Sequence, residues 1–86
     1  MREVVTTPRF ERRLVRFVQQ HPNFKSTVRT IMHSIASENP ATRIHALHGQ
    51  MRGIYAARIS QEYRLVFTLE PNAVIFIDIG SHDEVY

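Results

Sequence analysis

The sequence contains no cysteine and no tryptophan, and three glycines and four prolines occur among its 86 residues. The absence of cysteine excludes disulfide bonds, thiolate metal sites and a cysteine nucleophile. Because hydrophobic residues make up 43% of the chain, its composition indicates a packed domain rather than a disordered segment. We expect one domain spanning residues 1–86, which without disulfides depends on core packing or on a partner for its stability.

Long hydrophobic runs are also absent. The longest, Ala73–Ile79, is interrupted by Asp78 and is far shorter than the roughly 20 residues that a membrane-spanning helix requires. The first residues, Met1–Thr7, lack the hydrophobic stretch and the small-residue cleavage site of a signal peptide. We therefore expect a cytoplasmic protein without membrane association.

Positive charge is carried almost entirely by arginine. The chain has 11 lysine and arginine residues against 8 acidic ones, a net charge of +3, and Lys25 is the single lysine. Arginine presents a planar fork of donors that matches phosphate oxygens. Such a composition is typical of proteins that bind nucleic acid, and equally of ordinary basic proteins from GC-rich genomes, so it leaves both interpretations open.

The N-terminal half of the chain predicts a strand followed by two helices. Glu3–Thr6 has strand character, after which Thr7 can cap a helix that has Pro8 at its first position. Hydrophobic residues then recur at helical spacing: Phe10, Leu14, Phe17 and Val18, and then Phe24, Val28, Ile31, Met32 and Ile35. The short link His21-Pro22, with Asn23 as the expected cap of the second helix, predicts an antiparallel helix hairpin.

The C-terminal half predicts strands. Three segments have the composition of strands, namely Ile54–Ile59, Tyr63–Leu69 and Ala73–Ile79. Their short connections, Ser60–Glu62 and Glu70–Asn72, require antiparallel neighbours. Residues 40–52 show no clear period and are interpreted as a loop, with a short turn of helix as the alternative for part of it. Residues 81–86 are interpreted as a short polar tail. The predicted fold class is α+β, a small antiparallel sheet with the helix hairpin packed on one face.

Two arginines are predicted to face each other across the first of these turns. If the turn comprises residues 60–62, Arg58 lies directly opposite Arg64 on one face of the sheet. Two guanidinium groups in that arrangement repel, so either each has a carboxylate partner, for which Glu62 and Asp78 are the candidates, or an anion lies between them. A turn of different length would place the two arginines on opposite faces.

Histidines supply candidates for proton transfer. His82 follows the last strand beside Asp83, where an exposed imidazole can act as a general acid or base. His45 and His48 have the spacing of a metal-binding pair on a helix, but no cysteine or nearby carboxylate completes a ligand set, so we expect no metal and no cofactor. Tyr86 is either a packing residue or a surface on which a base stacks.

Further arginines form a candidate electrostatic surface. Four of them share part of the polar face of the first helix, namely Arg9, Arg12, Arg13 and Arg16. Such a face is usually only solvated, but it can also bind RNA or DNA. Together with Arg52 of the 40–52 segment, these residues are the predicted RNA-binding residues.

Four segments together resemble the RelE/ParE superfamily, the toxins of bacterial type II toxin–antitoxin systems. They are Phe10–Leu14, His45–Gly49, Ala57–Phe67 and Asp78–Tyr86, and in order and spacing they cover essentially the whole chain. The resemblance implies a small antiparallel sheet with two helices on one face, and inhibition by an antitoxin from the same operon. In the enzymatic members it implies metal-independent cleavage of mRNA, commonly in the ribosomal A site.

The resemblance also implies site residues. Arg64, in Tyr-Arg-Leu-Val-Phe, matches the arginine that RelE-type toxins place on the scissile phosphate, and Tyr86 matches their terminal aromatic residue. The His-x-Leu-x-Gly and Gly-Ser-His segments are similar to those of the YafQ branch, in which both histidines take part in catalysis, and they correspond to His45 and His82. The lysines that precede this strand in RelE, and its basic tail, are absent from the present chain.

Two further positions differ from that branch. Arg58 and Glu62 occupy the places of a histidine and an aspartate in YafQ. Metal-independent RNA cleavage proceeds by attack of the 2′-OH on its own phosphate and needs a base, an acid and cations. The hypothesis therefore assigns the phosphate to Arg58 and Arg64, the acid to His82, the base to His45 or Glu62, and stacking to Tyr86.

A second function remains open within the same superfamily, because ParE members bind and poison DNA gyrase and do not cut RNA. A third interpretation is a decayed toxin that only binds its antitoxin. His45 and His82 favour the nuclease, since proton-transfer residues then surround the arginine. The expected partners are a cognate antitoxin, whose acidic or amphipathic segment covers the arginines, and mRNA on the ribosome.

Overall fold

The computed structural model describes residues 1–38, 44–46 and 53–85, and for residues 44–46 it describes the backbone alone. Within these ranges the elements are β1 (Glu3–Thr6), α1 (Pro8–Gln20), α2 (Lys25–Ala36), β2 (Ile44–Ala46), β3 (Ile54–Arg58), β4 (Tyr63–Glu70), β5 (Ala73–Ser81) and α3 (His82–Val85). A 3₁₀ turn, Pro22–Phe24, joins α1 to α2. None of the described helices is long and apolar enough to span a lipid bilayer.

The five described strands form one sheet in the order β1-β5-β4-β3-β2. Neighbours are antiparallel except for β1 and β5, which run parallel. Both helices and three strands separate these two strands along the chain, a connection long enough to allow parallel pairing. The predicted α+β fold, with a helix pair on one face of a mostly antiparallel sheet, is confirmed. The parallel edge strand is an addition that the short turns did not indicate.

The core lies between the helix pair and one face of the sheet. Phe10, Phe67 and Phe76 are completely buried there, and the rings of Phe10 and Phe76 stack with their centroids 5.6 Å apart. Burial of each such side chain stabilises the fold by about 1.5–3 kcal/mol. Helical spacing predicts the inward side of the helices correctly at most positions. Phe10, Phe17, Val28 and Ile35 are buried, and Leu14, Phe24, Ile31 and Met32 pack against them, whereas the half-buried Val18 is not part of this cluster.

The two helices begin differently. The Thr7 side chain accepts a hydrogen bond of 3.0 Å from the N–H of Phe10, so the predicted cap of α1 is confirmed. The predicted cap of α2 is wrong, because Asn23 lies inside the 3₁₀ turn and α2 starts at Lys25 without a side-chain cap. Pro22 starts that turn and so moves the beginning of the helix past Asn23.

Strand β2 corrects the prediction of a loop over residues 40–52. Residues 44–46 pair antiparallel with β3, with His45 opposite Ala56. Three residues are too few to show a period of two, so pairing with the edge of β3, and not local pattern, determines this strand. The rest of the segment, including His48 and Arg52, lies outside the described residues.

The C-terminal segment is a helical turn and not a polar tail. Strand β5 continues through Gly80 to Ser81, and α3 follows directly. The side chain of Val85 is buried at 7% exposure, which anchors the turn to the core. The sequence signal that predicts this turn is Ser81-x-x-Glu84, the pattern of a capping box.

A β-bulge in β5 determines which residues in the second half of the strand face the core. The register with β4 shifts between Val66, which pairs with Asp78, and Phe67, which pairs with Phe76. One residue of β5 is therefore left unpaired, and Phe76 and Ile79, three positions apart, are both buried in the core. The same shift places Gly80 opposite Arg64.

Candidate active site

Arg58 and Arg64 lie directly opposite each other on β3 and β4, as the turn length predicts. The N–H of Ile59 donates to the carbonyl of Tyr63 at 3.0 Å, which closes the turn at residues 60–62. The Oγ of Ser60 accepts from the N–H groups of both Glu62 and Tyr63 at 3.3 Å. These contacts fix the register that brings the two guanidinium groups to one face.

The guanidinium groups bind carbonyl oxygens of the turn. Nη1 of Arg64 donates to the carbonyls of Ser60 at 2.7 Å, Tyr63 at 3.0 Å and Gln61 at 3.2 Å. Nε of Arg58 donates to the same Ser60 carbonyl at 3.4 Å. Among the described residues no carboxylate forms an ion pair with either arginine. Their positive charge is therefore not neutralised within that part of the chain.

Of the two carboxylates considered as partners of these arginines, Asp78 is bound elsewhere. Asp78 pairs with Arg13 at 2.5 Å and with Arg9 at 3.6 Å, both from α1. The reason is tertiary, because α1 crosses the edge of β5 at the point where Asp78 lies. Glu62 is exposed, and its backbone carbonyl accepts the N–H of His82 at 2.8 Å.

His82 begins α3 at the same end of the sheet as the arginine pair. Gly80 pairs with Arg64 and Ser81 with Tyr63, so His82 is the next residue beyond this row. Its Nδ1 lies 3.7 Å from a carboxylate oxygen of Asp83, and its side chain is 53% exposed. A half-exposed imidazole in this position is accessible from solvent.

The backbone register places His45 two rows from the arginine pair along the sheet. His45 pairs with Ala56, Ala56 with Val66, and Val66 with Asp78. This row lies two residues from the row of Arg58, Arg64 and Gly80, and rows two residues apart belong to the same face of the sheet. Tyr86 lies outside the described residues.

The arginines of α1 divide into two groups. Arg13 is 26% exposed and bonded to Asp78, to Glu84 and to the carbonyl of Ile79, so it is held in place by the fold. Arg9, Arg12 and Arg16 are exposed. Arg16 also lines a shallow pocket of about 50 Å³ together with Tyr63 and Gly80, close to the start of α3. RNA binding by these arginines stays a prediction.

The chemistry that this end of the sheet offers is anion binding combined with proton transfer. Two arginines, a histidine and the exposed carboxylate of Glu62 come from three different elements, β3, β4 and α3, and from the turn between β3 and β4. Among the described residues, no three histidine, aspartate or glutamate side chains are grouped so as to hold a metal ion.

Sequence reasoning missed one feature of this site, the capping box of α3. The N–H of Ser81 donates to Oε1 of Glu84 at 2.9 Å, and the N–H of Glu84 donates to Oγ of Ser81 at 3.2 Å. His82 is the residue that directly follows the cap. The signal, a serine followed three positions later by glutamate, was present in the sequence.

The model of a protein family, described as the bacterial toxin of type II toxin–antitoxin systems YafQ, matches residues 2–86. No curated protein is matched by sequence. Among solved structures, YafQ from Escherichia coli strain BL21(DE3) superposes with a TM-score of 0.85 at 14% identity, covering 100% of this chain and 99% of that one. A metal-bound toxin from Helicobacter pylori superposes with 0.84 at 21% identity over 100% of both chains.

A third relative is more distant in structure. The YoeB dimer from Staphylococcus aureus superposes with a TM-score of 0.78 at 22% identity, covering 94% of this chain and 97% of that chain. At such identities the structural likenesses show a common fold. The family model spans nearly the entire sequence and therefore shows the family as well as the fold. It agrees with the resemblance found in the sequence. The chain belongs to the YafQ family of toxins of bacterial type II toxin–antitoxin systems.

Proposed function

We propose that this toxin is an endoribonuclease that cuts mRNA in the cytoplasm without a metal ion and so inhibits translation. The observation that carries the proposal is the opposed pair Arg58 and Arg64, which has no carboxylate partner among the described residues. Membership in the YafQ family supports it. The reaction is attack of the 2′-OH on the adjacent phosphate with departure of the 5′-oxygen.

The phosphate is the part of the substrate that the arginine pair fits. Arg64 uses Nη1 for the turn carbonyls, and within the described residues its Nε and Nη2 have no acceptor. An arginine whose remaining N–H groups face an anion binds phosphate oxygens in a bidentate manner. Arg58 adds a second positive charge on the same face, so both cations stabilise the charge that develops on the phosphorane.

His82 is the proposed general acid for the leaving 5′-oxygen. Its position beyond Gly80 and Ser81 sets it next to the row of Arg64, and its exposure allows proton exchange with solvent. A protonated imidazole is suited to this step because its ring N–H can be donated to the leaving oxygen.

Two candidates remain for the base that activates the 2′-OH. By register, His45 lies on the same face of the sheet as the arginine pair, in the row of Ala56, two residues from Arg58. Glu62 lies in the turn whose carbonyls Arg64 binds. Single substitutions distinguish them, since loss of the true base removes one limb of the pH profile of cleavage and loss of the other candidate leaves both limbs.

The substrate is RNA because the nucleophile is the 2′-OH, which DNA lacks. The exposed arginines of α1 are proposed as further contacts to RNA phosphates, and Arg52 is proposed from the sequence for the same role. Tyr86 is the proposed stacking surface for a base. We place the reaction in the ribosomal A site, following the resemblance to RelE-type toxins.

The proposed protein partner is a cognate antitoxin. Structures of related toxins have been solved as DinJ–YafQ and YoeB–YefM complexes, whose toxins share the fold of this chain. A net charge of +3 and exposed arginines favour a partner with acidic side chains. Such a partner inhibits the toxin when it covers Arg58 and Arg64.

The test is primer extension on cellular mRNA after brief induction of the wild-type toxin, of Arg64→Ala and of His82→Ala. We expect discrete cuts with the wild type, and their loss in both variants. Arg29→Ala and His33→Ala are matched controls, because both residues are exposed on α2, and they are expected to cut like the wild type.

A chimaeric oligonucleotide with one 2′-deoxy residue at the cleavage position provides the chemical test. Cleavage at that position is expected to stop while neighbouring sites are still cut. Intact mRNA, together with arrested growth and an induced DNA-damage response, would contradict the nuclease and favour inhibition of gyrase.

A further inference from the structure

We propose that Arg13 and Glu84 are positioning residues for His82, acting as a clamp that fixes helix α3 against the end of β5. The inference deepens the proposed function and rests on it. The clamp is defined as the guanidinium of Arg13, the carboxylate of Glu84 and the cap residue Ser81. Neither Arg13 nor Glu84 is required to touch RNA for this role.

The first component of the clamp is the part of the β5 edge beyond Phe76, which none of the described strands covers. Strand β1 pairs with β5 only over Ala73–Phe76. Beyond that point Arg13 takes the place of a strand, because its Nη2 and Nε donate to the carbonyl of Ile79 at 3.2 and 3.3 Å. The N–H of Ile79 donates to Asp78 at 2.9 Å, and Asp78 also pairs with Arg13. Arg13 is therefore anchored to the strand that leads into α3.

The second component is the cap of α3. This helix has four residues, and a single turn is not stable by itself, because nucleation of a helix is unfavourable. Glu84 binds the N–H of Ser81 through Oε1 at 2.9 Å, and the Oγ of Ser81 accepts the N–H of Glu84 at 3.2 Å. The turn that carries His82 therefore depends on this reciprocal pair.

The third component joins the other two. Oε2 of Glu84 lies 3.6 Å from Nη2 of Arg13, so the carboxylate uses one oxygen for the cap and the other for the arginine. The pKa of Glu84 is lowered first by the hydrogen bond from the Ser81 backbone, then by the hydrogen bond with the Ser81 side chain, and also by the charge of Arg13. The carboxylate is therefore ionised at neutral pH. The guanidinium thus connects α1, β5 and α3.

Gly80 shows how closely the clamp approaches the strand. A Cβ at this position would lie 2.9 Å from Nη2 of Arg13 and 3.2 Å from Oε1 of Glu84. Any other residue would displace one of these groups. The glycine of the Gly-Ser-His segment therefore has a physical role, since it leaves room for the clamp.

The consequence for the reaction is the placement of His82. Its N–H is bound to the carbonyl of Glu62 at 2.8 Å on the side of the turn. The clamp holds the same helical turn through Ser81 and Glu84. Displacement of a catalytic group by about 1 Å can lower a rate by about 100-fold, so loss of the clamp is expected to reduce the rate of chemistry without preventing RNA binding.

The experiment uses the full chain and two measurements. Amide hydrogen exchange of Ser81 and His82 in the free protein reports the clamp. Initial rates of cleavage of a short mRNA presented in the ribosomal A site, measured over a series of concentrations of the mRNA–ribosome complex, report kcat and KM. The variants are Glu84→Gln, which keeps the cap and loses the charge, Glu84→Ala, which loses both, and Arg13→Gln. Glu70→Ala and Arg29→Gln, both exposed and outside the site, are the controls.

We expect exchange at Ser81 and His82 to become about 10-fold faster or more in Glu84→Ala. In the same variant kcat falls by about 10- to 100-fold with KM nearly unchanged. Glu84→Gln is expected to show a smaller effect of the same kind. When Glu84→Ala is combined with His82→Ala, no further loss of rate is expected beyond that of His82→Ala alone, because the clamp acts through that histidine.

Arg13→Gln separates positioning from RNA binding. A fall in kcat supports the clamp, whereas a rise in KM with kcat unchanged contradicts it and makes Arg13 an RNA-binding residue. Unchanged exchange and unchanged kcat in Glu84→Ala would overturn the proposal. If the wild type does not cleave RNA, the proposed function and the positioning role both fail, while the exchange data still report whether the clamp exists.

Discussion

Arg58 and Arg64 face each other across β3 and β4 and donate to the same acceptor, the carbonyl oxygen of Ser60. The shared carbonyl dipole reduces the repulsion between the two cations, but it does not cancel their charge. Like charges directly opposite each other in a sheet are destabilising. This arrangement is therefore most stable when an anion binds, which is the property that a phosphate-binding site requires.

Arg64→Ala is expected to lower the rate of RNA cleavage by about 100- to 1,000-fold, the effect of removing one preorganised donor from a transition state. The fold should survive, because among the residues that the structure describes the side chain of Arg64 is bonded to carbonyls of its own turn and strand alone. Single-turnover cleavage and a thermal melt test both parts. An Arg64→Ala variant as active as Arg29→Ala would contradict the assignment.

Sulfate or phosphate is expected to stabilise the wild-type protein more than it stabilises Arg58→Ala. An anion that binds only the folded state adds RT ln(1 + [L]/Kd), about 1.4 kcal/mol at ten times Kd. Thermal melts with sulfate, and with sodium chloride at the same ionic strength, measure the difference. Arg29→Ala should respond like the wild type, and an equal response from Arg58→Ala would remove the pair as an anion site.

Asp78→Ala is expected to destabilise the protein by about 1–3 kcal/mol, because it leaves partners of a partly buried carboxylate unpaired. Asp78 is 15% exposed, pairs with Arg13 and Arg9, and accepts the N–H of Ile79. Asp83→Ala is the matched control, since that side chain is fully exposed. Urea denaturation measures both, and equal midpoints for the two variants would show that the Asp78 contacts contribute no stability.

The stability contributed by Glu84 should depend on pH in one direction. Its pKa is lowered in the folded protein below the ordinary value of 4.5, first by the Ser81 backbone hydrogen bond. A carboxyl group whose folded pKa is depressed stabilises the protein above its unfolded pKa, and this contribution is lost as the pH falls through the folded pKa. Wild type should therefore be more stable than Glu84→Gln near neutral pH, with the difference declining below pH 4.5.

Denaturation of the wild type and of Glu84→Gln over a series of pH values tests whether the difference in stability declines as the pH falls. The comparison isolates Glu84 because the other titrating groups are common to the two chains. A difference that grows as the pH falls would mean that the carboxylate is not stabilised by the cap.

The predictions that came from local sequence held where a local interaction determines the structure. Thr7 and Pro8 predict the start of α1, because a cap and a fixed φ act within one turn. The three residues 60–62 predict the pairing of Arg58 with Arg64, because turn length alone sets the register of a hairpin. The capping box that starts with Ser81 is equally local, but the expectation of a polar tail over residues 81–86 does not take it into account.

Other features depended on distant partners. Strand β2 forms because β3 has a free edge, and β1 pairs parallel with β5 after most of the chain has intervened. The three residues of β2 show no pattern, and those of β1 predict a strand but not its partner. The bulge between Val66 and Phe67 is likewise a property of two strands together.

The choice of partner for Asp78 separates what the local sequence determines from what only the tertiary structure determines. The sequence by itself determined the helix hairpin, the antiparallel strands and the opposed arginines, since caps, period and turn length are encoded within a few residues. Only the tertiary structure decided that Asp78 binds Arg13 and not the arginine pair. The physical reason is that β1 ends early and α1 crosses the open edge of β5, so the nearest guanidinium comes from a residue 65 positions away in the chain.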